Sequence, residues 1–394
     1  MGRRAHFVRL GAKVTTLSKD NVVFCITDPI RLQPGELQSA SGSDPFKLRS
    51  PTLTADSAGG SRPTMREVAA LAKVSIKTVS RVVNGESGVS LTLAKRVLAA
   101  SERLNYRHNL TASSLRRSDG RSDTIGIVLE DVANPFSSAL HRSIEDVAVE
   151  RGVLVLAGSS DEDGEREKKL VSAFASRRVD GLIIQPSSLD HSYLLSERRA
   201  GTAIVFVDRQ AAFFDADTVL TDNAAGVRRG VRHLIEQGHR RIGYLGDLHT
   251  IDTAAERHRG YVEELEHQGI EVDERLVQLD LRGIEKAEAA ATAMLSNSHA
   301  PTALFAGQNL VTIGAFRALR RLGLHRTVAL IGFDDILLAD LLEPGITVIA
   351  QDPALIGRTA AQVLFRRLDG DRSPMQQHIV PTSMITRGSG EILP

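Results

Sequence analysis

The sequence predicts two kinds of structure in one chain: a small all-α helix-turn-helix unit, followed by an α/β core of two lobes, each built on a doubly wound parallel sheet. Two observations indicate this class. Residues 63–108 carry two short helical patterns around a tight turn, with a third behind them. From Thr124 onward, apolar strand-like runs alternate with amphipathic helices about every 25–30 residues, the spacing of helical crossovers between parallel strands.

The first helix of the N-terminal unit has a recognisable start. Thr64 and Glu67 fit the Thr-x-x-Glu capping box, so the helix should begin at the next residue. Val68, Leu71 and Ala72 follow the i, i+3, i+4 spacing of an inward face. We therefore expect this helix to bury that face against two partners.

Two further helices should complete the unit. The hydroxyl of Ser75 can cap a second helix, and Ser90 can cap a third that runs to about Leu104. The residues expected to close the small core are Val79, Val82, Val83, Val97, Leu98 and Leu104.

The second helix leaves a chemically mixed set of side chains outside. An ammonium, a guanidinium, hydroxyls and one apolar residue suit the reading of base edges in a DNA major groove. A generic three-helix unit with a solvated basic face is the alternative. The exposed set is Ile76, Lys77, Thr78, Ser80 and Arg81.

The distribution of charge favours the DNA reading. Residues 63–122 carry 11 Lys and Arg against 4 Asp and Glu, a net charge of +7. Residues 1–62 carry 9 against 5, or +4, and because the whole chain is +1, residues 123–394 carry −10. A basic front on an acidic body is typical of a phosphate-binding module joined to a core that does not bind nucleic acid.

This N-terminal unit resembles the headpiece of the lactose, purine and galactose repressor family (LacI/GalR), and the resemblance extends over about residues 64–390. By that resemblance, Ile76, Lys77 and Arg81 read bases; Ile76 can touch a thymine methyl but cannot donate a hydrogen bond. The matching phosphate-binding residues are Ser75, Thr78, Ser80 and Asn84. The phrases that carry the resemblance are Val68-Ala69, Val74-Ser75, Thr78-Val79-Ser80-Arg81-Val82 and Asn84-Gly85.

Residues 109–117 resemble the hinge helix of the same family. The segment is too short to be helical alone in water, so it should order only when two chains meet over the minor groove. Leu115 would then wedge between base pairs and bend the duplex. A plain linker is the alternative. Asn109, Ala112 and Leu115 are the hinge residues expected at the DNA.

Composition bounds the remaining possibilities. No apolar run approaches twenty residues, which excludes a typical membrane-spanning helix. The sole cysteine, Cys25, excludes an intramolecular disulfide framework and a cysteine-based zinc site, in agreement with a cytoplasmic protein. Residues 1–62 mix Gly, Ser, Pro and Thr with scattered charge and are expected to be mostly disordered. They are either a basic arm that adds DNA affinity or upstream sequence translated from a wrongly chosen start.

The core contains two series of strand candidates, so it should form two lobes with one small molecule between them. Ligands of such sheets sit beyond the carboxyl ends of the strands. The helices between the strands include 135–151, 166–176 and 225–237. The strand candidates are 125–129, 153–157, 181–184 and 203–207 in the first series, and 242–245, 277–279, 303–306 and 329–333 in the second.

Polar residues follow several of these strands, where a ligand would lie. A carboxylate beside a guanidinium can grip vicinal hydroxyls, and an aromatic face can stack on a sugar ring. Each residue taken singly could be a helix cap or a surface charge; their joint placement favours a binding site. The candidates are Phe136, Asp208, Arg209, Arg257, Gln308, Asp334 and Gln351.

This half of the chain resembles the type I periplasmic sugar-binding fold of the same repressor family. The phrases Val207-Asp208-Arg209 and Ile331-Gly332-Phe333-Asp334-Asp335 carry much of the likeness. The resemblance implies Arg257, Asp334 and Gln351 as the strongest effector contacts. Two departures stand out: Ser137 replaces a second aromatic, and Gln308-Asn309 replaces Asn-Asp. A pentose or hexose is the expected ligand.

These features together predict a homodimeric, sequence-specific transcriptional regulator that represses a sugar uptake or catabolism operon and is released by a sugar effector. A corepressor-dependent regulator of the purine type, or a sugar-binding protein without a DNA role, is the alternative. No nucleotide loop or paired-histidine metal motif is present, so we expect no enzymatic activity, metal or cofactor.

The expected domain bounds follow from the same reading. They are 1–62 for the extension, 63–108 for the headpiece, 109–122 for the hinge segment and 123–390 for the core; lobe 1 covers about 123–220 and 350–380, and lobe 2 about 221–349 and 381–390.

Overall fold

The computed structural model describes residues 63–83, 86–107, 121–188 and 190–394. The expectations for residues 1–62 and for the hinge helix therefore lie outside the described residues. The same holds for four residues expected at the DNA, namely Asn84, Asn109, Ala112 and Leu115.

The headpiece folds as three helices: α1 (Met65–Ala72), α2 (Ile76–Val83) and α3 (Leu91–Arg103). The predicted caps are present. The Thr64 backbone N–H donates to Glu67 Oε2 at 2.6 Å, and the Glu67 N–H donates to Thr64 Oγ1 at 3.4 Å, which completes the capping box. The hydroxyl of Ser75 accepts from the Thr78 N–H at 3.1 Å, and that of Ser90 accepts from the Leu93 N–H. Each helix thus begins where a side chain satisfies its free backbone donors.

The headpiece core is smaller than the sequence predicted, and two of its expected members are wrong. Leu71 and Leu98 are 39% and 57% exposed. Two small residues, Ala69 on α1 and Ala100 on α3, take inward places instead, while Val68, Val79 and Val97 are buried as expected. The buried residues are Val68, Ala69, Ala72, Val79, Val97 and Ala100.

The first lobe of the core is built on a six-stranded sheet in which every pair of neighbouring strands is parallel. Its strand order is β11-β5-β4-β3-β1-β2. The strands are β1 (Thr124–Leu129), β2 (Leu154–Ser159), β3 (Gly181–Ile184), β4 (Ala203–Val207), β5 (Asp217–Thr221) and β11 (Gln377–Val380).

The second lobe repeats this plan with the order β12-β10-β9-β8-β6-β7. Only the β10–β12 pair is antiparallel. The predicted class, an all-α headpiece with two doubly wound parallel-sheet lobes, is confirmed. The strands are β6 (Ile242–Leu245), β7 (Val277–Gln278), β8 (Ala303–Ala306), β9 (Ala329–Phe333), β10 (Thr347–Ala350) and β12 (Ser383–Ile385).

Helices cover both faces of each sheet, which is why the central strands are buried throughout. Among the described residues, no helix combines the length and the apolar composition needed to cross a bilayer. The helices of the first lobe are α4 (Pro135–Glu150), α5 (Gly164–Ser176), α6 (Leu195–Arg199) and α11 (Pro353–Leu368), and those of the second are α7 (Asn223–Glu236), α8 (Asp252–His267), α9 (Ile284–Leu295) and α10 (Asn309–Leu322).

Within the described core, the chain passes between the two lobes three times: from β5 to α7, from β10 to α11, and from β11 to β12. Two of these crossings are tied together, because Asp222 Oδ1 accepts from the Thr382 N–H at 2.6 Å and Arg229 donates to the Thr382 carbonyl at 2.9 Å. The crossings bring the carboxyl ends of the parallel strands of both sheets toward the same gap.

Candidate DNA-reading helix and effector cleft

Helix α2 presents its polar side outward, as the sequence predicted. Val79 is fully buried, while Ile76 is 47% exposed and Lys77 is exposed. The hydroxyls of Ser75 and Thr78 lie 2.9 Å apart at the start of the helix. This end of α2 therefore offers an apolar contact, an ammonium and two hydroxyls on one accessible surface.

Arg81, at the other end of α2, is engaged with the loop that follows. Its guanidinium donates to the Ser87 carbonyl, and its Nε lies 3.5 Å from Glu86 Oε2. The side chain remains half-buried. To contact a base, Arg81 would have to give up these contacts with the loop. Ser80, the residue before it, is half-buried.

A narrow cavity of about 40 Å³ lies between the lobes, and we call it the cleft. All seven residues proposed from the sequence for a small-molecule site line it: Phe136, Asp208, Arg209, Arg257, Gln308, Asp334 and Gln351. The structure adds Glu130, Asn134, Gln185, Asp247, Ile251, Thr253 and Ala254.

In the first lobe, the cleft wall is held by a buried ion pair. Arg209 donates to both carboxylate oxygens of Glu162 at 2.6 and 2.7 Å, and to the Pro186 carbonyl at 3.0 Å. Burial lowers the pKa of Arg209, but the hydrogen bonds and the charge of Glu162 outweigh it, so its pKa is raised overall. Gln185 donates to Asp208 Oδ2 at 2.9 Å. The charge of Arg209 is therefore balanced within its own lobe.

In the second lobe, the arginine is held differently. Arg257 donates to Asn223 Oδ1 at 2.9 Å and to the Gly307 carbonyl at 3.0 Å, and its Cζ lies 3.9 Å above the ring of Phe333. Its nearest carboxylate oxygen, on Asp334, is 3.9 Å away. Arg257 is thus fixed by neutral acceptors and an aromatic face, with only a loose ion pair.

Asp334 is held by one hydrogen bond and one loose ion pair. Burial raises its pKa, while the charge of Arg257 and the hydrogen bond from Gln351, at 2.6 Å, lower it. Asp208 and Asp334 both have φ of +69°, in the left-handed region that Asp tolerates better than most residues. Each thus follows the last residue of a buried strand, β4 or β9, in a conformation that turns its carboxylate to the cleft.

Three polar atoms at the cleft are buried without a hydrogen-bond partner in the described part of the chain: Asp208 Oδ1, Arg209 Nε and Gln351 Oε1. Buried polar atoms are nearly always satisfied by protein, water or ligand. The cleft therefore offers two acceptors and one donor to whatever enters it.

Two contacts join the lobes across the cleft. Asn309 Nδ2 donates to Asn134 Oδ1 at 2.8 Å, so one of the sequence departures forms a bridge between lobes. Arg282 of the second lobe lies 3.6 Å from Glu130 of the first. Gln308 also caps α10 by accepting from the Leu310 N–H at 2.8 Å, so its carbonyl oxygen has a structural partner already.

The sequence interpretation missed two acids that line the cleft. Glu130 directly follows β1, and Asp247 lies two residues after β6. Burial, reinforced by the charge of Glu162, raises the pKa of Glu130 to about 7, and burial likewise raises the pKa of Asp247. The rule that selected Asp208 and Asp334, a polar residue just past a buried strand, would have found both.

Comparison with family models gives two matches, one in the headpiece and one in the core. Residues 64–109 match the model described as bacterial regulatory proteins, lacI family. Residues 231–390 match a periplasmic binding protein-like domain.

Several characterised regulators are similar along most of their length. The HTH-type transcriptional repressor CytR of Escherichia coli K12 is 31% identical over 333 residues, which cover 84% of this chain and 97% of CytR. The ribose operon repressor of Halalkalibacterium halodurans is 31% identical over 326 residues, with 82% and 96% covered.

Solved structures agree. The lac repressor bound to ONPG in the repressed state has a TM-score of 0.74 at 27% identity, covering 84% of this chain and all of that one. A complex of the transcriptional regulator CelR with cellobiose has a TM-score of 0.62 at 30% identity, covering 83% of this chain and all of CelR. The three-helix headpiece, the polar cleft of the core and this similarity over nearly whole relatives lead to one conclusion: the chain belongs to the lacI family of bacterial regulatory proteins.

Proposed function

We propose that this protein is a homodimeric transcriptional repressor that binds a near-palindromic operator and leaves it when a sugar enters the cleft. The observation that carries the proposal is the presence, in one chain, of an exposed reading helix and a cleft lined by seven polar or aromatic residues expected from the sequence. The names of the similar proteins, a ribose operon repressor and a cellobiose-bound regulator, support a sugar as effector.

At the operator, α2 lies in the major groove. Ile76, Lys77 and Arg81 contact bases, and hydroxyls at its start and middle contact phosphates. Two-fold symmetry of the dimer requires two half-sites. The phosphate-binding residues are Ser75, Thr78, Ser80 and Asn84, and the minor-groove residues of the hinge are Asn109, Ala112 and Leu115.

In the cleft, Asp208, Asp334 and Gln351 accept or donate hydrogen bonds to sugar hydroxyls, and Phe136 packs on the ring. The unsatisfied oxygens of Asp208 and Gln351 support this role. Arg257, fixed by neutral partners, keeps N–H groups close to the ligand position.

Coupling follows from differential affinity. A sugar that binds the closed lobes more tightly than the open ones shifts their relative angle, and the dimer then presents its hinge segments in a geometry that disfavours the operator. The protein acts in the cytoplasm on operons for sugar uptake or catabolism.

The test is an operator titration of the full-length chain, using DNA sites selected from a random duplex pool and read by fluorescence anisotropy. Arg81→Ala should reduce the preference for the selected site over random DNA by about 1–3 kcal/mol, because a bidentate base contact is lost. Lys95→Ala, an exposed cation on α3, is the matched control and should retain the preference.

Adding candidate sugars to the same titration gives the sign of the response. Release from the selected site supports induction, whereas tighter binding would assign corepression. A chain that selects no preferred duplex from the pool would refute the proposed function.

A further inference from the structure

We propose that the effector is a cationic sugar, an amino sugar, whose ammonium group is held between Glu130 of the first lobe and Asp247 of the second. This inference rests on the proposed function and specifies the chemical class of ligand that the cleft takes. It follows from the charge of the cleft, from how its two arginines are engaged, and from an unsatisfied acid at its wall.

The cleft is lined by more acids than bases. In the described chain, four carboxylates line the cavity, against two guanidinium groups, Arg209 and Arg257. A surplus of negative charge in a confined space attracts cations and repels phosphates and sugar acids. The four acids are Glu130, Asp208, Asp247 and Asp334.

The two arginines do not balance all four acids. Arg209 is bound through two hydrogen bonds to Glu162, an additional carboxylate behind the cleft wall, and its Nε lies 3.5 Å from Asp208 Oδ2. Arg257 donates to Asn223 and to the Gly307 carbonyl, and lies 3.9 Å from the nearest oxygen of Asp334. The charge of Arg209 is therefore shared between Glu162 and Asp208, and that of Arg257 lies nearest Asp334. Glu130 and Asp247 take part in neither of these ion pairs.

An independent observation points to a ligand at the same place. Asp208 is 95% buried, since its exposed fraction is 5%, and its Oδ1 has no hydrogen-bond partner. A buried carboxylate oxygen in this state requires a donor. A hydroxyl or ammonium group of a bound ligand supplies it, whereas an anion would leave Asp208 unsatisfied.

Glu130 and Asp247 form the part of the cleft that selects charge. They come from opposite lobes and line the same cavity, so an ammonium group between them binds both lobes at once. Within the described part of the chain, Glu130 forms an ion pair with Arg282 at 3.6 Å, much longer than the 2.6 Å of the Arg209–Glu162 pair. An incoming ammonium group with short hydrogen bonds replaces this loose pair.

A metal ion is a weaker match to these residues. Among residues whose placement is described, no group of three or more His, Cys, Asp or Glu side chains is arranged to hold a metal. Asn134, Gln185 and Gln351 line the remaining wall with amides, which suit hydroxyl groups, and Phe136 adds an aromatic face. Hydroxyls together with one positive charge describe an amino sugar.

The experiment measures binding by thermal shift and titration calorimetry on the full-length protein. The probes are glucosamine, galactosamine and mannosamine, each with its neutral parent sugar and its uncharged N-acetyl form, together with glucosamine 6-phosphate. We expect at least one amino sugar to bind about 10-fold or more tightly than both uncharged counterparts, as a charge-assisted hydrogen bond implies. Its 6-phosphate should bind more weakly.

Two variants locate the effect. Glu130→Gln and Asp247→Asn should each remove most of the preference for the amino form, while Glu145→Gln, a partly exposed acid on α4, should leave it unchanged. Unfolding of each variant without ligand reports whether it still folds. Loss of the preference in only one of two folded variants would still place the ammonium group beside that acid.

Three outcomes overturn the inference: a neutral or phosphorylated sugar binds as well as its amino form, no amino sugar binds, or both variants keep the preference. Operator titration of the same sample, without ligand, tests the proposed function separately. A protein that selects its operator but ignores amino sugars refutes only the effector class.

Discussion

The two walls of the cleft solve the burial of an arginine in different ways. In the first lobe, Arg209 is locked by a short bidentate ion pair with Glu162. In the second, Arg257 relies on amide and carbonyl acceptors and an aromatic ring, and its acid, Asp334, lies 3.9 Å away. The charge of Arg209 is therefore balanced without a ligand, while the second wall retains an acid whose pKa is raised by burial. The difference indicates that the first-lobe arginine is held mainly by charge and the second-lobe arginine mainly by neutral partners.

Arg209→Ala should give the largest loss of stability among the variants of the cleft walls. Removing the guanidinium leaves the Glu162 side chain, which is 9% exposed, without its partner. We expect the free energy of unfolding to fall by about 3–5 kcal/mol, the cost of breaking a buried ion pair from one side. Urea unfolding measures it, and Arg142→Ala, an exposed arginine on α4, should change it by less than about 0.5 kcal/mol. Equal effects of the two variants would show that the first wall is not locked.

Arg257→Ala should cost less stability, about 1–3 kcal/mol, because it leaves neutral acceptors unsatisfied. Asp334, whose pKa already lies above its usual range, can take up a proton instead of remaining a buried charge. The same variant should lose the effector response and keep operator binding. Urea unfolding and operator titration check both parts, with the exposed Arg259→Ala as control. A larger stability loss than for Arg209→Ala would reverse the contrast between the walls.

The smallest effect concerns Glu130, where the two lobes face each other. Burial first, then the charges of Glu162 and Asp247, raise its pKa to about 7 against the opposing charges of Arg209 and Arg282. Because the folded value exceeds the ordinary 4.5, the folded protein holds this proton more tightly. Its contribution to stability is therefore present below about pH 4.5 and is lost as the pH rises to about 7.

Glu130→Gln removes this dependence. The unfolding free energy of the variant minus that of the wild type should rise by on the order of 1 kcal/mol between about pH 5 and pH 8, since the site is partly open to solvent. Urea unfolding at several pH values measures it, and Glu145→Gln is the control. Parallel curves for wild type and Glu130→Gln would contradict the prediction.

The sequence predicted the fold wherever burial leaves a simple pattern. β3, β4, β6, β8 and β9 were located to the residue, because each is a short apolar run covered on both faces. The strands that it did not identify are less regular: β11 alternates exposed and covered residues, β12 has three residues, and β5 and β10 contain polar residues. Such segments are strands because of their neighbours rather than their own composition.

The same contrast applies to the cleft. The rule that polar residues after strands meet at one edge brought seven residues to one cavity, since parallel strands share their carboxyl ends. Which residues of the two lobes would pair across the cleft could not be predicted. The bond between Asn134 and Asn309 and the contact of Glu130 with Arg282 depend on the angle between the lobes, which no local pattern encodes.

That angle is controlled by the three crossings, two of which are joined through Asp222 and Thr382. A single crossing between two lobes would let them rotate about it in any direction. Three crossings side by side resist twisting and sliding of one lobe against the other, so bending is the motion that they permit most easily. A ligand in the cleft can therefore change little except the opening angle between the lobes. Because displacement grows with distance from the crossings, a small change of this angle moves the far end of a lobe the most.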